Sequence, residues 1–151
     1  MDIKLDDLTR ADVRALVSTH RAEMGANENA VISHALDLDR LKGDDVTFFS
    51  VWEGETLTGC GAIREVDKTH GEIKSMHTAR RFRRKGVSAA LLFHMIKLAE
   101  TRGYKRLSPE THPGGNYKPA RKLYERFGFK ECEPFGDYEP HDFSVFMTRD
   151  I

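Results

Sequence analysis

Residues 71–102 read GEIKSMHTARRFRRKGVSAALLFHMIKLAETR, and their reading decides the fold. Glu72–Thr78 is a short strand-like run. Arg83-Arg84-Lys85-Gly86-Val87-Ser88 is a basic turn built around one glycine. From about Gly86 to Thr101, Leu91, Leu92, Met95, Ile96, Leu98 and Ala99 give a helix with a wide apolar face, closed by Gly103. Gly86 has no Cβ, so backbone there passes close to a ligand. The helix start adds unpaired N–H groups and the positive end of its dipole. Strand, glycine turn and helix N-terminus together make a cradle for phosphate or pyrophosphate.

The chain around this stretch has 151 residues, the length of one domain spanning 1–151. Its 24 basic and 24 acidic residues cancel. That balance argues against nucleic acid as a partner, since such proteins carry a basic excess. A nucleotide P-loop is also excluded: Gly-Lys-Ser/Thr is required, and the order here is Lys85-Gly86-Val87. Cys60 and Cys132 form no CxxC pair and read as buried free thiols. The seven histidines are scattered without ligand spacing, so no metal is expected. The mixed, acidic N-terminus and the lack of a long apolar run predict a cytoplasmic protein with no membrane contact.

In chain order, Ile3–Leu8 reads as a strand, and Thr9 as the N-cap of a helix from Arg10 to Met24. Val13, Leu16, Val17 and His20 set the spacing of that helix. Ala30–Leu41 reads as a second helix. Val46–Glu53 and Thr56–Val66 are strands joined by a hairpin at Gly54-Glu55. Gly59 and Gly61 in the second of them predict a bulge or close packing. Leu107–Thr111 is a strand parallel to Glu72–Thr78, because a helix crosses between them. Lys118–Phe127 is a helix with Pro119 in its first turn. Phe129–Cys132 and Ser144–Thr148 are the last strands, separated by a long aromatic loop, Glu133–Phe143. The class is α+β: a mixed sheet of about seven strands with about four helices.

Two motifs carry a family resemblance. Arg83-x-x-Gly86-x-Ser88 resembles the pyrophosphate loop of the GNAT superfamily of acyl-CoA N-acyltransferases, with Ser88 where Gly or Ala is usual. Ala120-Arg121-Lys122-Leu123-Tyr124-Glu125-Arg126-Phe127-Gly128-Phe129 resembles the family's A-x-x-L-Y-x-x-x-G-F signature. The two come in the family's order. The resemblance covers Val46 to the C-terminus and, more weakly, the N-terminal helices. It implies a GNAT-like domain whose two parallel strands splay to admit acetyl-CoA, and often a homodimer.

The resemblance also implies roles. The backbone of Arg83, Arg84, Lys85, Gly86, Val87 and Ser88 would hold the pyrophosphate, and Met76, His77 and Thr78 the pantetheine arm. Tyr124 would protonate the leaving thiolate; the plainer reading is a tyrosine packed beside Phe127 and Phe129. A family Asn six residues before the Tyr is here Lys118, so either Asn116 takes over its contact with CoA or the contact is missing. An amine acceptor must lose a proton before it attacks. Glu72, eleven residues before Arg83, resembles in position the base of the histone-acetylating branch, although a solvated strand-start Glu fits as well. Glu110, at the end of the parallel strand, is the other candidate for base or ammonium partner, beside a water relay. His112, Phe135 and Tyr138 are candidates for substrate contact; capping a core is the plain alternative for the loop aromatics.

The function this points to is acetyl transfer from acetyl-CoA to the primary amine of a small molecule or amino acid, by direct attack. A peptide acceptor, or acyl-CoA binding without turnover, remains as the alternative.

Overall fold

The computed structural model describes residues 1–25 and 38–151. Its elements are β1 (Asp2–Leu5), α1 (Ala11–Gly25), α2 (Leu38–Leu41), β2 (Val46–Glu53), β3 (Thr56–Asp67), β4 (His70–Thr78), α3 (Val87–Arg102), β5 (Arg106–Thr111), α4 (Lys118–Arg126), β6 (Lys130–Glu131) and β7 (Val145–Asp150). The strands form one mixed sheet in the order β1-β2-β3-β4-β5-β7-β6. This is the α+β arrangement expected from the sequence. The predicted helix Ala30–Leu41 lies outside the described residues except for its last turn, α2. Two compact units divide the chain: Met1–Arg64 with Lys74–Met95, and Glu65–Ile73 with Ile96–Ile151.

In the first unit, β1 and β3 both pair antiparallel with β2. The β2–β3 hairpin turns at Gly54, whose φ of 58° is left-handed. Val13, Leu16 and Val17 lie at i, i+3 and i+4 on α1 and bury one stripe of it against Leu8, Leu41, Phe48, Trp52, Cys60 and Ala62. Thr9 is not the helix cap. Its hydroxyl donates to Asp7 instead, and Arg10 supplies the carbonyl that accepts from Arg14 N–H. Asp7 takes both the N–H and the hydroxyl of Thr9, which closes a turn before the helix begins.

The two strand glycines act as expected, in both senses. Val51 faces Gly59 while Trp52 faces Leu57, so Thr58 is an extra residue and β3 bulges there. The Thr58 carbonyl accepts from Ala79 N–H at 2.8 Å, tying down the chain as it leaves β4. A Cβ on Gly59 would lie 2.8 Å from Val87 and 3.0 Å from the His77 carbonyl; one on Gly61 would lie 2.9 Å from both Leu91 and Met95. Helix α3 therefore lies directly on the β3 backbone, and the missing side chains make that approach possible.

In the second unit, β4 begins earlier than expected. His70 and Gly71 belong to the strand, and His70↔Arg106 opens a parallel ladder that reaches Ile73↔Pro109. Tyr104 explains the early start: a Cβ on Gly71 would come within 2.8 Å of its ring, so the glycine lets the ring cover the strand. The Tyr104 hydroxyl donates to Glu65 at 2.9 Å. Pro109, in the last pair of the ladder, has no N–H to give. β7, last in sequence, lies between β5 and β6 and pairs antiparallel with both.

Candidate active site

The basic turn of the first unit has the backbone that its sequence promises. Arg83 is extended, Arg84 has φ 64° and Gly86 has φ 83°. The Gly86 carbonyl accepts the first helical bond, from Ala90 N–H at 3.0 Å. The N–H groups of Val87, Ser88 and Ala89 thus precede any carbonyl that α3 can offer them. A Cβ on Gly86 would meet nothing within 4 Å, so the left-handed φ, and not crowding, asks for glycine. Arg83, Arg84 and Lys85 are exposed around it. The hydroxyl of Ser88, the residue that departs from the family pattern, bonds to the Thr78 hydroxyl at 2.6 Å. The additional polar group is thereby satisfied within the fold.

β4 carries a feature that its sequence hides. Ser75 has φ 54°, a left-handed residue inside a strand and not a glycine. Such a residue costs about 1–3 kcal/mol and turns the peptide groups after it out of regular alternation. Those groups belong to Met76, His77 and Thr78, the expected pantetheine segment. The Ser75 carbonyl accepts from the Cys60 thiol at 3.6 Å. Burial pushes that thiol up to about 12, so it stays protonated and inert. Both cysteines are free, as expected, but Cys132 is half-buried where burial was expected. Though far apart in sequence, His20 and the buried His77 meet with their Nδ1 atoms 3.2 Å apart.

The second unit holds the acid–base candidates. Glu72 is not the solvated strand-start residue that its sequence equally allowed: it has no exposure at all. Its Oε2 accepts from the Tyr138 hydroxyl. Phe135 is buried, edge-on to His70, Tyr138 and Phe146 with ring centres 5.3, 5.4 and 5.6 Å away, so its ring serves as a core cap. Glu110 is half-buried and accepts from the Ser144 hydroxyl at 2.7 Å. His112 Nδ1 accepts from Gly114 N–H at 3.0 Å. Burial, and then the nearby Arg121 charge, lowers the pKa of His112, which favours the neutral ring with its proton on Nε2. Asn116 is exposed on a short turn, Gly115–Tyr117.

Tyr124 sits in α4 at 5% exposure, with its ring edge-on to Phe129 at 5.4 Å. The packing role is therefore real. Burial also drives its phenol well above the ordinary tyrosine range, with no charged group contributing. The phenol stays protonated throughout the physiological range.

Sequence reasoning missed Arg121, whose guanidinium donates to the carbonyls of His112 and Gly114 and lashes that loop to α4. It also missed the chain of the buried His70 Nε2 and Ser108 Oγ and the half-buried Thr148 Oγ1, linked at 2.7 Å each. The strand register reveals it, since both pairings of β5 are needed to align those residues.

The profile of the acetyltransferase (GNAT) family matches residues 13–129. The chain belongs to that family. It is 51% identical over 151 residues, the whole of both chains, to the uncharacterized N-acetyltransferase YsnE of Bacillus subtilis (strain 168). It is 33% identical over 121 residues to an IAA acetyltransferase of Azospirillum brasilense, covering 79% of this chain and 77% of the relative. A solved candidate acyl-CoA N-acyltransferase from Klebsiella pneumoniae subsp. pneumoniae superposes with a TM-score of 0.81 at 27% identity, over 99% of this chain and 96% of that one. The protein is an acetyltransferase of the GNAT fold. Among the described residues, no helix is long and apolar enough to cross a membrane.

Ser88→Ala removes the hydroxyl that Thr78 holds and leaves the helix N–H groups in place. The expected result is a melting temperature lower by a few degrees, from one lost hydrogen bond of about 1 kcal/mol, with acetyl-CoA affinity within about threefold. Thermal denaturation and calorimetry check this. A loss of affinity beyond about tenfold would make the Ser88 hydroxyl a ligand instead.

Proposed function

We propose that this acetyltransferase moves the acetyl group of acetyl-CoA onto the primary amine of a small molecule or amino acid, by direct attack in a ternary complex. The observation that carries the acceptor's chemistry is the fully buried carboxylate of Glu72 with the Tyr138 phenol upon it. A carboxylate kept from water and bonded to a phenol is suited to take a proton from an ammonium group. The half-buried Glu110 supplies a second negative charge for a cationic acceptor.

In this reading, the N–H groups at the start of α3, with Arg83 and Arg84, bind the pyrophosphate of CoA. Met76, His77 and Thr78 pair with its pantetheine arm. Glu72 accepts the acceptor's proton. The amine nitrogen bonds to the thioester carbon, the C–S bond breaks, and Tyr124 protonates the departing thiolate; the second N–H proton that the nitrogen loses on becoming an amide restores the phenol. One proton is released overall for each amide formed. Cys60 plays no part, because it is buried and held protonated.

Calorimetric titration with acetyl-CoA, followed by a panel of primary amines with detection of released thiol, tests the reading. Saturable binding at one per chain and turnover with an amine support it. Binding without turnover on any amine would remove the small-amine acceptor. No binding at millimolar acetyl-CoA would remove the cofactor site.

A further inference from the structure

Glu72 has no exposed surface, yet a base must receive a proton from a substrate that arrives from solvent. The half-buried Tyr138 lies on it, with its hydroxyl on Glu72 Oε2. We propose that Tyr138 is the proton relay of this enzyme: the acceptor ammonium gives its proton to the Tyr138 oxygen as the Tyr138 hydroxyl proton passes to Glu72. This inference rests on Glu72 as the base.

The loop is built to place that hydroxyl. Phe135-Gly136-Asp137-Tyr138 closes as a tight turn, with Tyr138 N–H donating to the Phe135 carbonyl at 3.1 Å. Gly136, with φ 58°, supplies the left-handed residue that the turn requires. Both aromatic rings then pack together, 5.4 Å between centres, and Phe146 of β7 lies 5.6 Å from each. Phe135 leans on His70, two residues before Glu72 and so on the same face of β4. His70 is itself fixed by Ser108 at 2.7 Å and by Arg106 at 3.2 Å. The phenol therefore has its ring clamped on two sides and its oxygen placed at the carboxylate, while the residue keeps part of its surface in solvent.

The step balances. One N–H bond of the ammonium breaks and one O–H bond forms at Tyr138; the original Tyr138 O–H breaks and one O–H forms at Glu72. The amine keeps the electron pair it uses to attack. Glu72 ends neutral, the phenol is restored, and Glu72 returns its proton to solvent after the product leaves.

The test uses the full chain, its Tyr138→Phe and Glu72→Gln variants, and the double variant. The phenyl ring of Tyr138→Phe keeps the packing and removes only the hydroxyl. In proton NMR, a phenol hydroxyl bonded to a buried carboxylate should give a slowly exchanging resonance downfield of the amides, absent from Tyr138→Phe and displaced in Glu72→Gln. Its absence from the native protein overturns the link, whether or not an acceptor has been found. With an acceptor from the amine panel, each single variant should lose about a hundredfold in kcat/KM near neutral pH. Each should regain about tenfold per pH unit up to the pKa of the amine, since both then need the free base, and the double variant should be no slower than the slower single one. An unchanged Glu72→Gln rate overturns the assignment of the base, and the relay with it. A slow Glu72→Gln beside a Tyr138→Phe profile parallel to the native one overturns the relay alone.

Discussion

Tyr124→Phe is expected to lower kcat by about a hundredfold or more, the range of a lost general acid, while leaving acetyl-CoA affinity within about twofold. Burial is what sets this expectation. A phenol at 5% exposure, raised by desolvation alone, cannot release its proton cheaply to water. When it donates to the thiolate the negative charge passes to the Tyr124 oxygen, where burial disfavours it, so the second N–H proton of the attacking nitrogen must restore the phenol in the same step. The ring packs on Phe129 through its carbon atoms, so phenylalanine preserves that contact and the stability of α4 should change little. The pH dependence follows with a definite sign. Because burial favours the neutral phenol, the donor form persists above the ordinary tyrosine pKa, and kcat should show no loss of the acid up to about pH 10. Pre-steady-state detection of released thiol separates this step from binding. An unchanged rate would leave Tyr124 as a packing residue only.

The two motifs were legible in the sequence because they depend on local chemistry. Gly86 announces a left-handed turn wherever it occurs in such a context, and the apolar spacing of Leu91, Leu92, Met95 and Ile96 needs no partner to be read as a helix. Gly59 and Gly61 signalled a bulge and a close approach, and both occur. What escaped is tertiary. The last strand enters the sheet between β5 and β6, a choice set by where its neighbours leave an unpaired edge. The left-handed Ser75 carries no glycine to mark it. Thr9 and Asp7 are both capping residues by type, and only the hydrogen bond shows that Asp7 takes the hydroxyl. Glu72 shows the limit most sharply. Its alternatives, base or solvated residue, differ in burial, and burial depends on a loop more than sixty residues later in the chain.

Gly86→Glu is expected to weaken acetyl-CoA binding by several hundredfold, and comparison with Gly86→Ala shows why. At φ 83° any L side chain is strained by about 1–2 kcal/mol, a cost both variants share. No atom lies within 4 Å of the new Cβ, so the atom that both variants add meets nothing in the fold. Ala should therefore lower the melting temperature by several degrees and weaken binding modestly, through a displaced turn. Glu adds a negative charge where a pyrophosphate would seat itself. Two like charges about 4 Å apart near a protein surface repel by about 4 kcal/mol, and screening by Arg83, Arg84 and Lys85 reduces but does not remove this. The difference between the two variants is thus electrostatic, and it should shrink as ionic strength rises. Calorimetry of both variants at low and high salt measures it. If Gly86→Glu binds acetyl-CoA as the native protein does, the phosphates lie elsewhere, and the N–H groups at the start of α3 lose their assigned ligand. If both variants lose binding equally at every salt concentration, the left-handed turn matters more than the charge it presents.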